Sequence, residues 1–300
     1  MSAASVTVIG VGAVGGLVAA HLCQAPGNAV SLAVRTAFDR LILERDDTLF
    51  EAQPRIMTDP EQAEPTDWIL LATKAYDSEA ASTWFEACSN AETRLAVIQN
   101  GVDHVDRLSR WYPRERILPV MIDCPVERVE PGHIRQRGPA VLKFPANEHG
   151  RSFAALFAGT DFSCEAVEDF VSVAWWKLCL NAAGVVNALA LKPSGIAHDP
   201  HAAGLMRRIV EEAAAVGRAE GAQLDKGIAD EVISIYRNHP ADSVNSLHAD
   251  RLAGRPMEID LRNGIVVDLG TRHGIPTPCN EMAVALLKVN GPNSGTEVLK

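Results

Sequence analysis

The stretch "VTVIGVGAVGG" at residues 6–16 restricts the fold of this chain more than any other feature of its sequence. An apolar, strand-like segment runs into Gly10, Gly12 and Gly15, and a segment of helical composition follows. Between a strand and a helix, this spacing matches the dinucleotide-binding fingerprint G-x-G-x-x-G. The first glycine permits a tight turn, the second lets the backbone approach a pyrophosphate, and the third lets the helix pack on the strand. A simple glycine turn is the alternative.

Strand-like and helix-like segments alternate through the first half of the chain, which predicts a parallel, doubly wound sheet. The predicted strands are Val6–Ile9, Ala29–Val34, Trp68–Ala72, Leu95–Ile98 and Arg116–Ile122. The predicted helices between them include Ala13–Gln24 and Ser78–Ala87. Two later strands, Gly132–Gln136 and Ala140–Phe144, are bounded by Pro/Gly turns and are expected at an antiparallel edge.

From about Glu168 onward the pattern becomes helical. The predicted helices are Asp169–Leu191, Gly204–Glu220, Ile228–Asn238, Ser246–Ala253 and Pro256–Arg272. The first is apolar nearly all round and hence buried, and the last is expected to pack through Met257, Leu261, Ile265 and Leu269. Residues 289–300 are predicted to be a loose tail. The fold class is therefore α/β, with a Rossmann-type domain at residues 1–166 and an all-helical domain at residues 167–300.

The composition indicates which kinds of molecule the protein binds. A formal net charge of −10 and a pI near 5.4 disfavour nucleic acid and anionic membranes. The six cysteines have no CxxC or Cys/His ligand spacing, which favours reduced thiols in a cytoplasm and no metal site. The uncharged run Leu178–Leu191 has 14 residues, short of the ~20 that span a bilayer. We therefore expect a small-molecule partner and no membrane span. The oligomeric state stays open, with a homodimer as one possibility.

The end of the second predicted strand bears on the choice of cofactor. An Asp or Glu near this point would bind the ribose 2′-OH of NAD, but "VSLAVRTAFDR" presents Arg35, and the next carboxylate is Asp39. A guanidinium is suited to bidentate binding of a phosphate. The sequence therefore favours NADP, with an ordinary exposed arginine as the alternative.

Four further stretches, together with the glycine turn, carry a resemblance to a known family. They are "TKAYD" at residues 73–77, "QNGVDH" at 99–104, "WWKLCLNAAG" at 175–184 and "SLHADRLAGRPMEIDLRNGIVVDLGTRHGIPTP" at 246–278. In this order and at these intervals they resemble the ketopantoate reductases, also called 2-dehydropantoate 2-reductases. The resemblance covers nearly the whole chain. It implies NADPH-dependent reduction of 2-dehydropantoate to (R)-pantoate, in pantothenate and coenzyme A biosynthesis, in a crevice between the domains.

The resemblance assigns catalysis to Lys177 and Glu258. Lys177 is the implied general acid, because an ammonium can stabilise the alkoxide formed by hydride transfer and supply its proton. A lysine that only extends to solvent is the alternative. Glu258, the E of "EID", is implied in substrate binding and catalysis. Its other interpretation is an acidic residue near the start of the helix after Pro256, where it complements the helix dipole.

The resemblance also implies the residues that bind substrate and cofactor. Asn181 lies four residues after Lys177, on the same helical face, and Ser246 is implied to bind the substrate carboxylate. Asn100 is implied near both nicotinamide and substrate, although Asn-Gly also suits a plain turn. Lys74 is implied to approach the cofactor phosphate and ribose, with an ordinary loop cation as its alternative.

One position departs from the family pattern. Relatives commonly carry a second asparagine four residues after the first, where this chain has Val185. Asn187 lies about 200° farther round a helix and cannot replace it. The departure puts the identity of the substrate in doubt more than the type of reaction. The alternatives are a paralogue that reduces another 2-oxo acid and a non-catalytic dinucleotide-binding sensor.

Overall fold

The computed structural model describes residues 4–290. Its thirteen strands are β1 Ser5–Ile9, β2 Ala29–Ala33, β3 Leu41–Arg45, β4 Thr48–Ala52, β5 Arg55–Met57, β6 Trp68–Leu71, β7 Arg94–Val97, β8 Ile117–Pro119, β9 Met121–Asp123, β10 Val126–Glu130, β11 His133–Gln136, β12 Val141–Pro145 and β13 Ser163–Val167. The tail predicted at residues 289–300 lies almost entirely outside the described residues.

Its twelve α-helices begin with α1 Ala13–Gln24, α2 Ser78–Ala81, α3 Thr83–Ala87, α4 His104–Leu108, α5 Glu148–Ala155 and α6 Phe170–Ala183. The remaining six are α7 Val185–Ala190, α8 Pro200–Ala219, α9 Ile228–Asn238, α10 Ser246–Leu252, α11 Ile265–His273 and α12 Pro278–Val289. A π-helical turn, Asp260–Gly264, leads directly into α11.

Six strands form one parallel sheet in the order β5-β2-β1-β6-β7-β8. Counted along the chain within that sheet, this is the order 3-2-1-4-5-6 of a Rossmann fold. All four residues of β6, "WILL", are buried, as expected for a strand covered on both faces. The predicted Rossmann-type fold class is therefore confirmed.

The strands predicted as an antiparallel edge do not belong to this sheet. β11 lies in a four-stranded sheet of order β10-β11-β3-β4, and β12 lies in a three-stranded sheet of order β13-β12-β9. The predicted strand Arg116–Ile122 is divided at Val120 between β8 and β9. β8 ends the parallel sheet, whereas β9 pairs antiparallel with β12.

A cluster of aromatic side chains packs in the hydrophobic core of the N-terminal half of the chain. Phe153 of α5 is fully buried and makes edge-on contacts with Trp68, Phe144 and Phe157, with ring centroids 5.4–5.5 Å apart. Edge-on aromatic pairs add favourable electrostatics to the burial of their large apolar area. This cluster fixes α5 against strands of two different sheets, β6 and β12.

The structure divides into two compact units. The first contains the chain up to Gln99 and from Asp103 to Phe170, and the second contains the chain from Val171 together with Asn100–Val102. The second unit is helical, and its core includes Trp175, Met206 and Tyr236. Asn100–Val102, which follow β7 of the parallel sheet, thus belong to the helical unit.

Two helices of the second unit differ from their predicted bounds. The predicted helix Asp169–Leu191 is interrupted at Gly184, between α6 and α7. The predicted helix Pro256–Arg272 begins only at Asp260, and it begins as a π-helical turn. The wider π turn changes which side chains face inward, so Arg262 and Asn263 are buried there, while Leu261 and Ile265 are only partly buried.

Within residues 4–290, Phe170–Ala190 is the one helical run long and apolar enough to cross a membrane. Of its most apolar window, 61% is buried inside the protein. A core helix of this length passes the same test of length and composition. The expectation that the chain spans no membrane stays a prediction.

Replacement of the central aromatic ring tests the core of the first unit. Phe153→Ala is expected to lower the free energy of unfolding by about 3–5 kcal/mol, because it removes buried area and leaves a cavity. Urea unfolding followed by circular dichroism measures the change. Leu49→Ala is the control, since Leu49 is 59% exposed and should change stability by less than about 0.5 kcal/mol. Equal effects of the two substitutions would contradict this packing.

Candidate active-site residues

The glycine turn between β1 and α1 is held close to two neighbouring strand ends. Gly10 has a φ of +90°, and a Cβ there would lie 2.7 Å from the backbone nitrogen of Thr73, which follows β6. Its own N–H donates to the carbonyl oxygen of Ala33, at the end of β2, at 3.2 Å. Glycine is required by both the backbone angle and the close approach.

The second and third glycines of the turn differ in their surroundings. A Cβ on Gly15 would lie 2.0 Å from the carbonyl oxygen of Gly10, so α1 could not approach β1 with any larger residue there. A Cβ on Gly12, which precedes the first turn of α1, would meet no atom within 4 Å. The first turn of α1 carries no acidic residue. Open backbone at a helix N-terminus fits an anionic phosphate.

Two cations lie after strands that flank β1. Arg35 follows β2 with its side chain 89% exposed, and its Nη2 donates to Asp77 Oδ2 at 3.1 Å. Lys74 is partly buried and precedes a short 3₁₀ turn, Ala75–Asp77. Asp77 lies 42 residues after Arg35 in the sequence. Sequence spacing therefore did not predict this ion pair. An exposed ion pair of this kind contributes little stability, so Arg35 stays accessible to a phosphate.

Gln99 joins the loop after β7 to the loop after β6, and the sequence analysis missed its role. Its buried Nε2 donates to the carbonyl oxygen of Thr73 at 3.0 Å and to the Thr73 hydroxyl at 3.1 Å. Its Oε1 accepts from Arg107 Nη2 at 3.0 Å. A polar residue directly after an apolar strand is the signal that could have found it. These bonds fix the backbone just before Lys74.

A neutral histidine also makes a hydrogen bond to the segment that follows β7. His104 Nε2 donates to the Gln99 carbonyl oxygen at 2.8 Å. Burial lowers the pKa of His104, and the charge of Arg107 lowers it further. The imidazole is therefore neutral near pH 7, with its proton on the nitrogen that faces Gln99.

In the second unit, Lys177 and Asn181 lie one turn apart on α6, and both are partly buried. Asn181 Oδ1 accepts a hydrogen bond of 3.0 Å from Nη2 of Arg262. Sequence analysis missed Arg262, because a single arginine in a segment read as an ordinary helix gives no sign of burial. The structure places it at 4% exposure, beside the predicted substrate residue.

Glu258 is only 8% exposed and accepts a hydrogen bond of 3.3 Å from Asn100 Nδ2. Helical structure begins two residues later, at Asp260, so the interpretation of Glu258 as a first-turn residue is wrong. The structure brings together Asn100 and Glu258, which the sequence resemblance had assigned to one site. Because Asn100 uses its amide nitrogen on Glu258, its Oδ1 is the atom left to accept.

Ser246 is exposed at the first position of α10. Its neighbour Asn245 caps that helix by accepting from the backbone N–H of His248 at 3.0 Å, and it donates to the Gly184 carbonyl oxygen at 3.1 Å. Asn245 therefore links the start of α10 to the interruption between α6 and α7. Asp250, one turn after Ser246 on α10, is 7% exposed and pairs with Arg255 at 2.9 Å.

The position that departs from the family pattern is packed in the core. Val185 is fully buried at the start of α7. Asn187 is also buried, and its amide donates to the Lys192 carbonyl oxygen at 3.1 Å. Asn187 therefore serves the end of its own helix and does not replace the missing asparagine.

Comparison with known proteins gives one consistent result. The family described as "Ketopantoate reductase PanE/ApbA" matches residues 6–149, and "Ketopantoate reductase PanE/ApbA C terminal" matches residues 169–290. The 2-dehydropantoate 2-reductase of Caulobacter vibrioides is 51% identical over 283 residues, covering 94% of this chain and 98% of that protein. The enzyme of the same name from Mycobacterium tuberculosis is 36% identical over 295 residues, covering 98% and 100%.

A solved structure agrees with these relatives. The ketopantoate reductase of Ralstonia eutropha JMP134 matches with a TM-score of 0.88 and 28% identity, covering 95% of this chain and 98% of that one. A Rossmann-type unit with a glycine turn and a helical unit with Lys177 and Asn181 on one helix face fit the class that these matches show, an oxidoreductase with a nicotinamide cofactor. Within that class, the chain belongs to the ketopantoate reductase family.

The open space at Gly12 allows a test of the glycine turn. Gly12→Ala is expected to fold, with a melting temperature within a few degrees of the wild type, because its Cβ meets no atom within 4 Å. Its affinity for nicotinamide dinucleotides should fall by about tenfold or more, since the added methyl occupies the approach of the phosphates. Fluorescence titration with NADPH and NADH measures the loss.

Gly204→Ala is the matched control, because a Cβ at Gly204 in α8 also meets no atom within 4 Å. That substitution should leave nucleotide affinity unchanged. Unaltered affinity in the Gly12 variant would show that the phosphates do not bind at this turn.

Proposed function

We propose that this chain uses NADPH to reduce the 2-oxo group of 2-dehydropantoate to (R)-pantoate, a step towards pantothenate and coenzyme A. The observation that carries the proposal is the 3.3 Å hydrogen bond between Asn100 and Glu258, which lie 158 residues apart. It joins two side chains that the family resemblance assigns to the substrate. The 51% identical relative named for this reaction supports the same substrate.

The first unit is the proposed cofactor-binding unit. Gly10, Gly12 and Gly15 shape a turn that suits the dinucleotide phosphates, and NADPH supplies the hydride when it is bound. Arg35 is the proposed ligand of the 2′-phosphate, since its guanidinium is accessible and can bind two phosphate oxygens. Lys74 is proposed to contact the phosphate and ribose from the loop after β6, where Gln99 fixes the preceding residue.

Lys177 is the proposed general acid. Hydride addition at the 2-oxo carbon places negative charge on the carbonyl oxygen, and an ammonium can both stabilise that charge and donate a proton to it. The partly buried position of Lys177 on α6 supports this role, because reduced solvent screening strengthens the interaction between opposite charges.

The remaining polar side chains of the second unit are proposed to orient the keto acid. Glu258 can accept hydrogen bonds from a substrate hydroxyl and from an ammonium. Asn100 presents its Oδ1 as an acceptor towards substrate or nicotinamide, and Asn181 contacts an oxygen of the substrate. Ser246, whose hydroxyl lies exposed at the start of α10, is proposed to donate to the substrate carboxylate.

A reductase of a different 2-oxo acid is the second candidate, favoured by the fully buried Val185. The missing asparagine removes one hydrogen bond that the family pattern would offer, and pockets discriminate strongly through such bonds. A dinucleotide sensor without catalysis is the third, and the presence of Lys177, Glu258 and Ser246 argues against it. A cytoplasmic location is proposed from the six free thiols, and the homodimer stays a prediction.

Turnover assays on the wild type and on a variant without the proposed acid test the candidates and the role of Lys177. Lys177→Met should lower kcat with ketopantoate and NADPH by about 10²–10⁴-fold, the usual contribution of a general acid, while NADPH affinity stays near that of the wild type. Absorbance at 340 nm follows turnover, with a panel of other 2-oxo acids run in parallel. Lys226→Met, at an exposed lysine, is the control.

Each outcome of this assay has a distinct meaning. Wild-type turnover of a different acid alone would transfer the proposal to the second candidate. Nucleotide binding without turnover of any acid would favour the sensor. An active Lys177 variant would remove this residue from the proposed mechanism.

The preference for NADPH depends on Arg35. Arg35→Ala is expected to raise KM for NADPH by about tenfold through loss of a charge-assisted phosphate contact, with KM for NADH nearly unchanged. Arg40→Ala is the matched control, because Arg40 also forms an exposed ion pair, with Glu51 at 2.8 Å. Equal losses for both cofactors would contradict recognition of the 2′-phosphate.

A further inference from the structure

A buried arginine in the second unit serves no role assigned so far. Arg262 is 4% exposed within the π-helical turn Asp260–Gly264. Burial of a guanidinium costs considerable free energy unless hydrogen bonds and opposite charges compensate for the lost water. Burial lowers the pKa of Arg262, while Tyr236, Glu258 and Asp250 oppose that change. Arginine nevertheless stays charged at neutral pH.

The hydrogen bonds of Arg262 recover only part of this cost. Nη2 donates to Asn181 Oδ1 at 3.0 Å. Nε and Nη1 are buried and have no hydrogen-bond acceptor among residues 4–290. An apolar residue of similar length would avoid this penalty, so packing alone does not account for an arginine at this position. The contact with Asn181 is the specific interaction that an apolar side chain could not make.

This contact determines which way the Asn181 amide faces. A guanidinium has five N–H donors and no acceptor, so the atom of Asn181 that faces it must be the carbonyl oxygen. The Nδ2 group of Asn181 is then directed away from Arg262, and within the described residues no atom accepts a hydrogen bond from it. Asn181 is partly exposed on α6, one turn after Lys177. Its free donor therefore lies on the same helical face as the Lys177 ammonium.

Asn100 has the opposite orientation. Its Nδ2 is used by Glu258 at 3.3 Å, which leaves its Oδ1 as an acceptor. The buried Arg262 therefore leaves Asn181 with its NH₂ group as a donor. The buried Glu258 leaves Asn100 with its carbonyl oxygen as an acceptor. A 2-oxo acid presents acceptor oxygens at its keto and carboxylate groups, and a hydroxyl substituent presents a donor.

We propose that Arg262 is a positioning residue that fixes the Asn181 amide with its NH₂ group towards an acceptor oxygen of the keto acid. This inference rests on the proposed function. Without Arg262, a 180° rotation of the amide would turn its carbonyl oxygen towards an oxygen of the substrate, which is repulsive. The orientation matters more in this chain because the family's second asparagine is replaced by the buried Val185.

A double-mutant cycle tests the inference. Arg262→Met, Asn181→Ala and the double variant are compared for KM of ketopantoate, KM of NADPH, kcat and melting temperature. Arg262→Met should raise KM for ketopantoate on the order of tenfold and change KM for NADPH by less than about twofold. Because Arg262 acts through Asn181, the double variant should be no worse than Asn181→Ala alone.

A conservative variant provides the control and a safeguard. Arg262→Lys keeps the positive charge and one donor for Asn181 Oδ1, so it should recover part of the lost affinity for ketopantoate. That recovery should disappear when Asn181→Ala is present. If Arg262→Met does not fold, the same cycle is run with Arg262→Lys and Arg262→Gln.

The outcomes separate this inference from the proposed function. An inactive wild type overturns the proposed function and the inference with it. In an active wild type, multiplicative losses in the double variant would mean that Arg262 acts independently of Asn181. A lower melting temperature with unchanged KM for ketopantoate would mean that Arg262 is only structural. Either of these last two results overturns the inference and leaves the proposed function intact.

Discussion

The close approach of α1 to β1 is the constraint on which the first unit depends. The position that a Cβ of Gly15 would take lies 2.0 Å from the Gly10 carbonyl oxygen, so the helix and the strand meet at backbone distance. That contact sets the direction of α1, and its N-terminal N–H groups therefore open at the carboxyl ends of the parallel strands. Arg35 and Lys74 follow β2 and β6, the strands on either side of β1, and so lie at the same edge of the sheet. The close contact between two glycines thus lies at the sheet edge that carries the residues proposed to bind the cofactor.

Much of this framework could be predicted because it depends on local patterns. The bounds of α1, Ala13–Gln24, and α9, Ile228–Asn238, agree with the sequence prediction. Apolar periodicity marks α9, whereas α1 is apolar nearly throughout and is bounded by the glycine turn and by Pro26. The strands β3, β4, β5, β10 and β13 were missed. They are short and partly exposed, as in β4, "TLFEA", where three of five residues are exposed. Their pairing depends on partners distant in sequence, which a local pattern does not contain.

The sequence predicted individual residues of the candidate site but not the hydrogen bonds that link them to the rest of the structure. Family resemblance pointed to Asn100, Asn181 and Glu258, yet the residues that orient them or hold their loops, Arg262 and Gln99, were not found. Their roles depend on contacts across long separations, 81 residues for Arg262 with Asn181 and 26 residues for Gln99 with Thr73. Sequence spacing identifies residues on one helix face, whereas the hydrogen-bond direction of an amide depends on its neighbour in space.

The π-helical turn has a consequence for how this family can vary. A π turn holds one residue more than an α turn, and one residue corresponds to about 100° of helical rotation. Asp260–Gly264 therefore sets which side chains of the segment face α6 through residue count as well as residue identity. Deletion of one residue here would turn a different side chain towards the position that Arg262 occupies, although no residue had been substituted. A change in length can thus place a new residue opposite the Asn181 amide, a route that comparison of aligned substitutions does not reveal.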